Sequence, residues 1–255
     1  MPRVTSKDGT PIAYDRLGSG PGVILVGGGL DDGSENAPLA AELAARFTVF
    51  NYARRGRADS GDTQPYAVER EFEDLEALLA EAGGAAHVYG VSSGGMFALE
   101  AAAAGLSIGR LGVYDVPYDT TPGAAERMQE YRGRLAAALA EGRRGDAVEL
   151  FMRLAGSSDE DIAVARSSPY WPGLERLSPT LAYDAALYGP PPVDRLATIT
   201  QPTLVVTGET ADFFEQAADA VAAALPNAER VVLKGQGHVA DPRAVGEVLG
   251  PFLGT

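Results

Sequence analysis

The sequence predicts an α/β fold, a mostly parallel sheet flanked by helices and interrupted by a helical insertion. Three observations carry this reading. Short apolar runs suited to buried strands alternate with amphipathic helical stretches through the first 116 residues. From Pro117 to about Val193 helical stretches follow one another with no strand between them. The alternation then resumes and continues to the end of the chain. Strand–helix alternation implies parallel pairing, because consecutive parallel strands need a crossover that a helix supplies.

Each element has a local reason. Pro11 to Arg16 alternates, and after the turn-rich Gly18–Gly22 comes Val23-Ile-Leu-Val26, an apolar run fit for a strand buried on both faces. Pro38 to Phe47 reads as a helix and Thr48–Tyr52 as a strand. Val68, Phe72, Leu75, Leu79 and Ala82 then share one helical face that ends at Gly83-Gly84. Ala86–Tyr89 gives the next strand, Gly94 to Ala104 a small-residue helix, and Arg110–Tyr114 a further strand. Helical stretches around Ala124–Glu141 and Asp146–Leu154 follow, and proline is frequent towards the end of the insertion. Thr203–Thr207 returns to the sheet, Phe213–Leu225 is a helix stopped by Pro226, Arg230–Leu233 is the last strand, and Arg243–Leu253 closes the chain. The expected organisation is therefore a core at 1–116 and 194–255, split by a helical lid at 117–193.

Composition narrows the function. With 45% hydrophobic and 22% charged residues, the chain can bury a full core and does not resemble a disordered one. A net charge of −14 opposes nucleic acid as a partner, since phosphate binding needs clustered Lys and Arg. No cysteine is present, which excludes disulfides, thiolate zinc sites and a sulfur nucleophile. The N-terminus lacks an apolar signal stretch and no run is long enough to cross a bilayer, so a cytoplasmic protein without a membrane partner is expected. Only two histidines, His87 and His238, are available for imidazole chemistry, too few and too separated for a metal site, and no cofactor is expected.

Gly90-Val91-Ser92-Ser93-Gly94 fits G-x-S-x-G and lies where a predicted strand meets a predicted helix. A sharp turn there exposes Ser92 at the sheet edge, with the helix N-terminus favouring developing negative charge. A small-residue turn capped by Ser93 would carry the same pattern. A serine hydroxyl needs a base within hydrogen-bond reach. His238, in the loop Gly235-Gln-Gly-His238, fits that role. His87 sits at the opposite end of its strand and is read as a packed or edge histidine. Gly27-Gly-Gly29 follows the first buried strand directly, and the N–H groups of Gly29 and Ser93 are assigned to the oxyanion hole.

These segments, with Tyr52–Asp62 and Pro202–Gly208, resemble the α/β-hydrolase fold superfamily, in its serine-nucleophile members, over nearly the full length. Members usually carry a histidine where this chain has Gly27, and often one where it has Val91; both departures imply an altered hydrogen-bond network. The Arg54–Asp62 stretch resembles a mainly structural loop of the family, so its arginines are read as rim ion pairs. For the catalytic acid, Asp115 resembles a subset that carries it after the strand preceding the lid. The alternative acid is Asp212, after the more usual strand, but Gly208-Glu-Thr-Ala-Asp212 is one residue longer than the family spacing and Ala211 stands at the expected place. Asp115 is favoured, and Glu209 is a distant third.

The resemblance implies a serine hydrolase that cleaves an ester or lactone bond of a largely apolar small molecule through an acyl-enzyme. Epoxide hydrolase and dehalogenase chemistry is disfavoured because those relatives use aspartate where Ser92 stands. Two readings compete: a lyase or cyclase using the same residues as acid–base machinery, and a non-catalytic small-molecule-binding protein. Of the insertion's Tyr118, Tyr131, Phe151, Met152, Tyr170, Trp171, Tyr183 and Tyr188, some are expected to line the pocket and more to form the core of the insertion.

Overall fold

The apolar run after Gly22 becomes β3 (Gly22–Val26), whose Val23, Ile24, Leu25 and Val26 are wholly buried in a computed structural model describing residues 1–254. It lies parallel between β4 (Thr48–Tyr52) and β5 (Ala86–Val91). Parallel pairing continues through β6 (Ile108–Tyr114), β7 (Thr203–Gly208) and β8 (Ala228–Leu233). At the other edge β2 (Pro11–Gly18) pairs antiparallel with β4, and β1 (Arg3–Thr5) pairs antiparallel with β2. The eight-stranded order is β1-β2-β4-β3-β5-β6-β7-β8. β1, three residues long, is too short to show a period of its own and carries no local signal.

Side chains alternate across β3 as a strand requires. Val23 and Leu25 pack with α1 (Ala37–Leu43) and α11 (Pro242–Leu253) on one face. Ile24 and Val26 pack with α2 (Val68–Glu81) and α3 (Ser93–Ala103) on the other, where α10 (Asp212–Ala224) also contributes. The chain steps outward from β3 to β4 and crosses back to β5. That reversal opens a crevice beyond the carboxyl ends of β3 and β5, the usual place for a ligand in an open α/β sheet. Gly27–Gly29 and Ser92 occupy those two ends.

Between β6 and β7 run α4 (Ala124–Ala140), α5 (Arg144–Leu154), α6 (Asp159–Arg166), α7 (Trp171–Leu177), a 3-10 turn, α8 (Leu181–Ala185) and α9 (Val193–Leu196). Two of these helices were legible from periodicity. The others are short, and proline marks helical starts in this region: Pro172 and Pro179 sit in the first positions of α7 and the 3-10 turn, where a missing N–H is harmless. A Ser158/Asp161 capping box at the start of α6 was a signal in plain sight. Among the described residues no helix is long and apolar enough to cross a membrane.

One expectation is corrected. Arg54, Arg55 and Arg57 make ion pairs, but they lie deep inside, not on a rim, with 2%, 0% and 1% exposure. They can be buried because α2 turns Glu71 and Asp74 inward and α8 supplies Asp184, so each guanidinium meets a carboxylate.

Candidate active site

Ser92 caps α3 with φ 55° and ψ −129°, a conformation unfavourable for any residue with a side chain. The turn is held from both sides. Ser92 N–H donates to the Tyr114 carbonyl at 2.8 Å, and the Ser92 carbonyl accepts from Gly95 N–H at 2.9 Å. Close backbone contact explains the flanking glycines: a Cβ at Gly94 would lie 2.5 Å from the carbonyl oxygens of Val26 and Gly27, and one at Gly90 would collide with the Gly94 carbonyl. Gly94→Ala is therefore expected to cost about 1–3 kcal/mol. Urea unfolding checks it: the midpoint should fall while the slope stays constant.

Asp115 follows β6 and also has a positive φ of 46°. It is fully buried. Its N–H donates to the Val206 carbonyl at 3.0 Å and its Oδ1 accepts from Gly208 N–H at 3.2 Å, so β7 fixes the carboxylate. Oδ2 lies 3.0 Å from His238 Nδ1. The loop carrying His238 is pinned by the Tyr114 hydroxyl, which donates to the Gly237 carbonyl at 2.6 Å. Phe214 stacks on the imidazole with ring centroids 4.8 Å apart.

The alternative acid stands elsewhere. Asp212 begins α10 with an exposed side chain that pairs with no other described residue. The extra residue in its loop makes Ala211 the N-cap and Asp212 the first helical residue. Glu209 accepts from Gly235 N–H at 2.7 Å and so braces the loop leading to His238. His87 sits in β5, where its Nδ1 accepts the Arg110 N–H at 3.1 Å; burial and the Arg110 charge both push its pKa down.

Gly28, Gly29, Ser92 and His238 line one cavity of about 820 Å³. Gly28 lies against the serine, since a Cβ there would come within 3.1 Å of Ser92 Cβ. The Ser93 N–H belongs to the first turn of α3, where amide groups lack helical partners and the helix dipole attracts negative charge. At Gly27 a side chain would collide with the buried Asp31 carboxyl. Burial raises the Asp31 pKa in spite of hydrogen bonds from the Glu35 and Gly33 amides.

The insertion covers the cavity with Met128, Tyr131, Leu150, Phe151 and Tyr188. Other aromatics have different places: Tyr118 and Trp171 are buried away from the cavity lining, Tyr183 stacks on Tyr66 at 3.8 Å, and Tyr170 is 79% exposed. Sequence reasoning missed Phe214 and Glu35, which also line the cavity. A pair of phenylalanines directly after the β7 loop was the available signal for the first. Nothing local marked Glu35.

The profile of the alpha/beta hydrolase family matches residues 23–248. An alpha/beta hydrolase from Sphaerobacter thermophilus DSM 20745, of known crystal structure, is 47% identical, with a TM-score of 0.89 over 98% of this chain and 99% of that one. The enol-lactonase from Burkholderia xenovorans LB400 shares the fold at 23% identity, with a TM-score of 0.71 over 100% of both chains. An uncharacterized hydrolase of Bacillus subtilis (strain 168), YraK, is 38% identical over 96 residues, 36% of this chain. That match spans 35% of the length of YraK.

Proposed function

The chain belongs to the alpha/beta hydrolase family, and on that premise we propose that it is a serine hydrolase cleaving an ester or lactone bond of a largely apolar small molecule. The observation that carries the proposal is the 3.0 Å contact between His238 Nδ1 and Asp115 Oδ2, on a histidine that shares a cavity wall with Ser92. In this reading Ser92 Oγ attacks the carbonyl carbon while His238 Nε2 takes the hydroxyl proton. Asp115 holds the Nδ1–H tautomer and stabilises the imidazolium. The N–H groups of Gly29 and Ser93 receive the oxyanion. Collapse of the tetrahedral intermediate breaks the C–O bond, and His238 returns its proton to the leaving alkoxide. Water, deprotonated by His238, then attacks the acyl-enzyme and releases the acid with Ser92 restored.

The helical insertion acts as a lid whose Met128, Leu150 and Phe151 supply an apolar wall. A cavity of about 820 Å³ suits a drug-sized substrate. The enol-lactonase of the same fold supports including lactones in the first substrate panel.

Labelling with a fluorophosphonate, read by intact mass and peptide mapping, tests the reading. One adduct on the Ser92 peptide is expected, absent in Ser92→Ala and strongly slowed in His238→Ala. Folded wild-type protein that takes no adduct, with the cavity shown to admit a dye of similar size, would overturn it.

A further inference from the structure

One carboxylate from the helical insertion is linked by hydrogen bonds both to Ser93 and, through Arg57, to the Gly28 carbonyl. Asp184, in α8, has 0% exposure. Its Oδ1 accepts the Ser93 hydroxyl at 3.0 Å and Arg54 Nη1 at 2.6 Å, and its Oδ2 accepts Arg57 Nη2 at 2.8 Å. Arg57 Nη1 in turn donates to the Gly28 carbonyl and, at 3.2 Å, to that of Asp31. Arg54 is also held bidentately by Glu71 at 2.7 and 2.8 Å, so two guanidinium and two carboxylate groups balance in charge. Burial acts to raise the Asp184 pKa, but Arg57, Arg54 and Ser93 bring it below the ordinary carboxylate range, which keeps it charged.

The Gly28 carbonyl and the Gly29 N–H belong to one trans peptide, so they point in opposite directions. Arg57 is buried outside the cavity lining, and its grip on the carbonyl turns the Gly29 N–H away from it. A charged donor on the carbonyl also polarises the peptide and strengthens the N–H as a donor. The same carboxylate anchors the Ser93 side chain, whose own amide opens α3.

We propose that Asp184 is a positioning residue for the oxyanion site, fixing the Ser93 amide through the Ser93 hydroxyl and the Gly29 amide through Arg57. The proposal rests on the serine hydrolase reading. It makes docking of α8 a condition for efficient catalysis: the insertion both walls the cavity and supplies the charge that orients the core's amides.

The test compares wild type, Asp184→Asn and Ser93→Ala in p-nitrophenyl butyrate hydrolysis and in inhibition by an alkyl trifluoromethyl ketone, whose adduct places an oxyanion against the amides. Asp184→Asn should lower kcat about 10- to 100-fold, less than outright loss of a donor can cost. KM should stay within about threefold, because the interaction is made in the transition state. The ketone's Ki should rise by the same factor as kcat falls. Ser93→Ala leaves both arginine pairs intact and should show the same parallel at about 3- to 10-fold. That variant decides the matter if Asp184→Asn does not fold. Variants with wild-type kcat and Ki, or a loss confined to KM or to the folded fraction, would overturn the proposal and leave the hydrolase reading standing. Wild type that neither hydrolyses esters nor labels at Ser92 would overturn both.

Discussion

Asp115→Asn is expected to lower kcat by about 10⁴-fold, the size seen when an amide replaces the acid of a serine–histidine pair, whereas Asp212→Asn should leave the rate near wild type. The first effect is large because nothing else can take over. Asp115 is buried, with one oxygen committed to Gly208 N–H and the other to His238 Nδ1. An asparagine there either offers an N–H to Nδ1, which selects the tautomer unable to accept the Ser92 proton, or flips and loses the Gly208 bond. Glu209 is engaged with Gly235 N–H, and Asp212 projects into solvent from α10. The comparison needs only kcat on p-nitrophenyl butyrate, with circular dichroism to show that both variants fold. A collapse for Asp212→Asn with near-normal rates for Asp115→Asn would reverse the assignment.

Much of this architecture is legible in the sequence because its signals are local. Buried parallel strands must be apolar on both faces, so runs such as Val23–Val26 and Thr203–Thr207 stand out. The turn at Ser92 announces itself because only glycine fits where backbones touch, at positions 90 and 94. Asp115 was harder. Its positive φ of 46° and its contact with His238 depend on β6, β7 and the loop after β8 meeting in space, and residue spacing carries no such information. The arginines of the Arg54–Arg57 stretch were misplaced for the same reason. Charge suggests a surface, and only the inward carboxylates of Glu71, Asp74 and Asp184, one of them about 130 residues distant, make burial tolerable. The helices α7 to α9 are seven, five and four residues long, too short to show a helical period of their own, and Pro172 in the first turn of α7 and Pro192 at the cap of α9 mark helix starts only once the structure is seen.

Arg55 gives the largest expected change in stability. Its Nε and Nη2 hold Asp74 bidentately at 2.8 and 2.7 Å, Nη1 meets Asp8 at 3.1 Å, and the side chain is fully buried. Arg55→Met strands the Asp74 carboxylate on the inner face of α2 and should cost about 3–5 kcal/mol in urea unfolding. The penalty comes from the stranded charge, not from loss of a strong bond, so Arg55→Met with Asp74→Leu should lie within about 1–2 kcal/mol of wild type. Asp8 is not stranded in either variant, because it still accepts the Thr10 N–H at 2.9 Å. The dependence on pH separates this account from a simple packing defect. Burial already raises the Asp74 pKa in the presence of Arg55, and removing the cation raises it further. In Arg55→Met the folded state then binds more protons than the unfolded chain, so stability falls as pH rises through the shifted pKa. The deficit of the single variant should be smallest near about pH 4 and larger at about pH 8, and the double variant should not show that slope. A single-variant loss below about 1 kcal/mol, or one equal at both pH values, would mean that the Arg55–Asp74 pair does not hold α2 in place in this way.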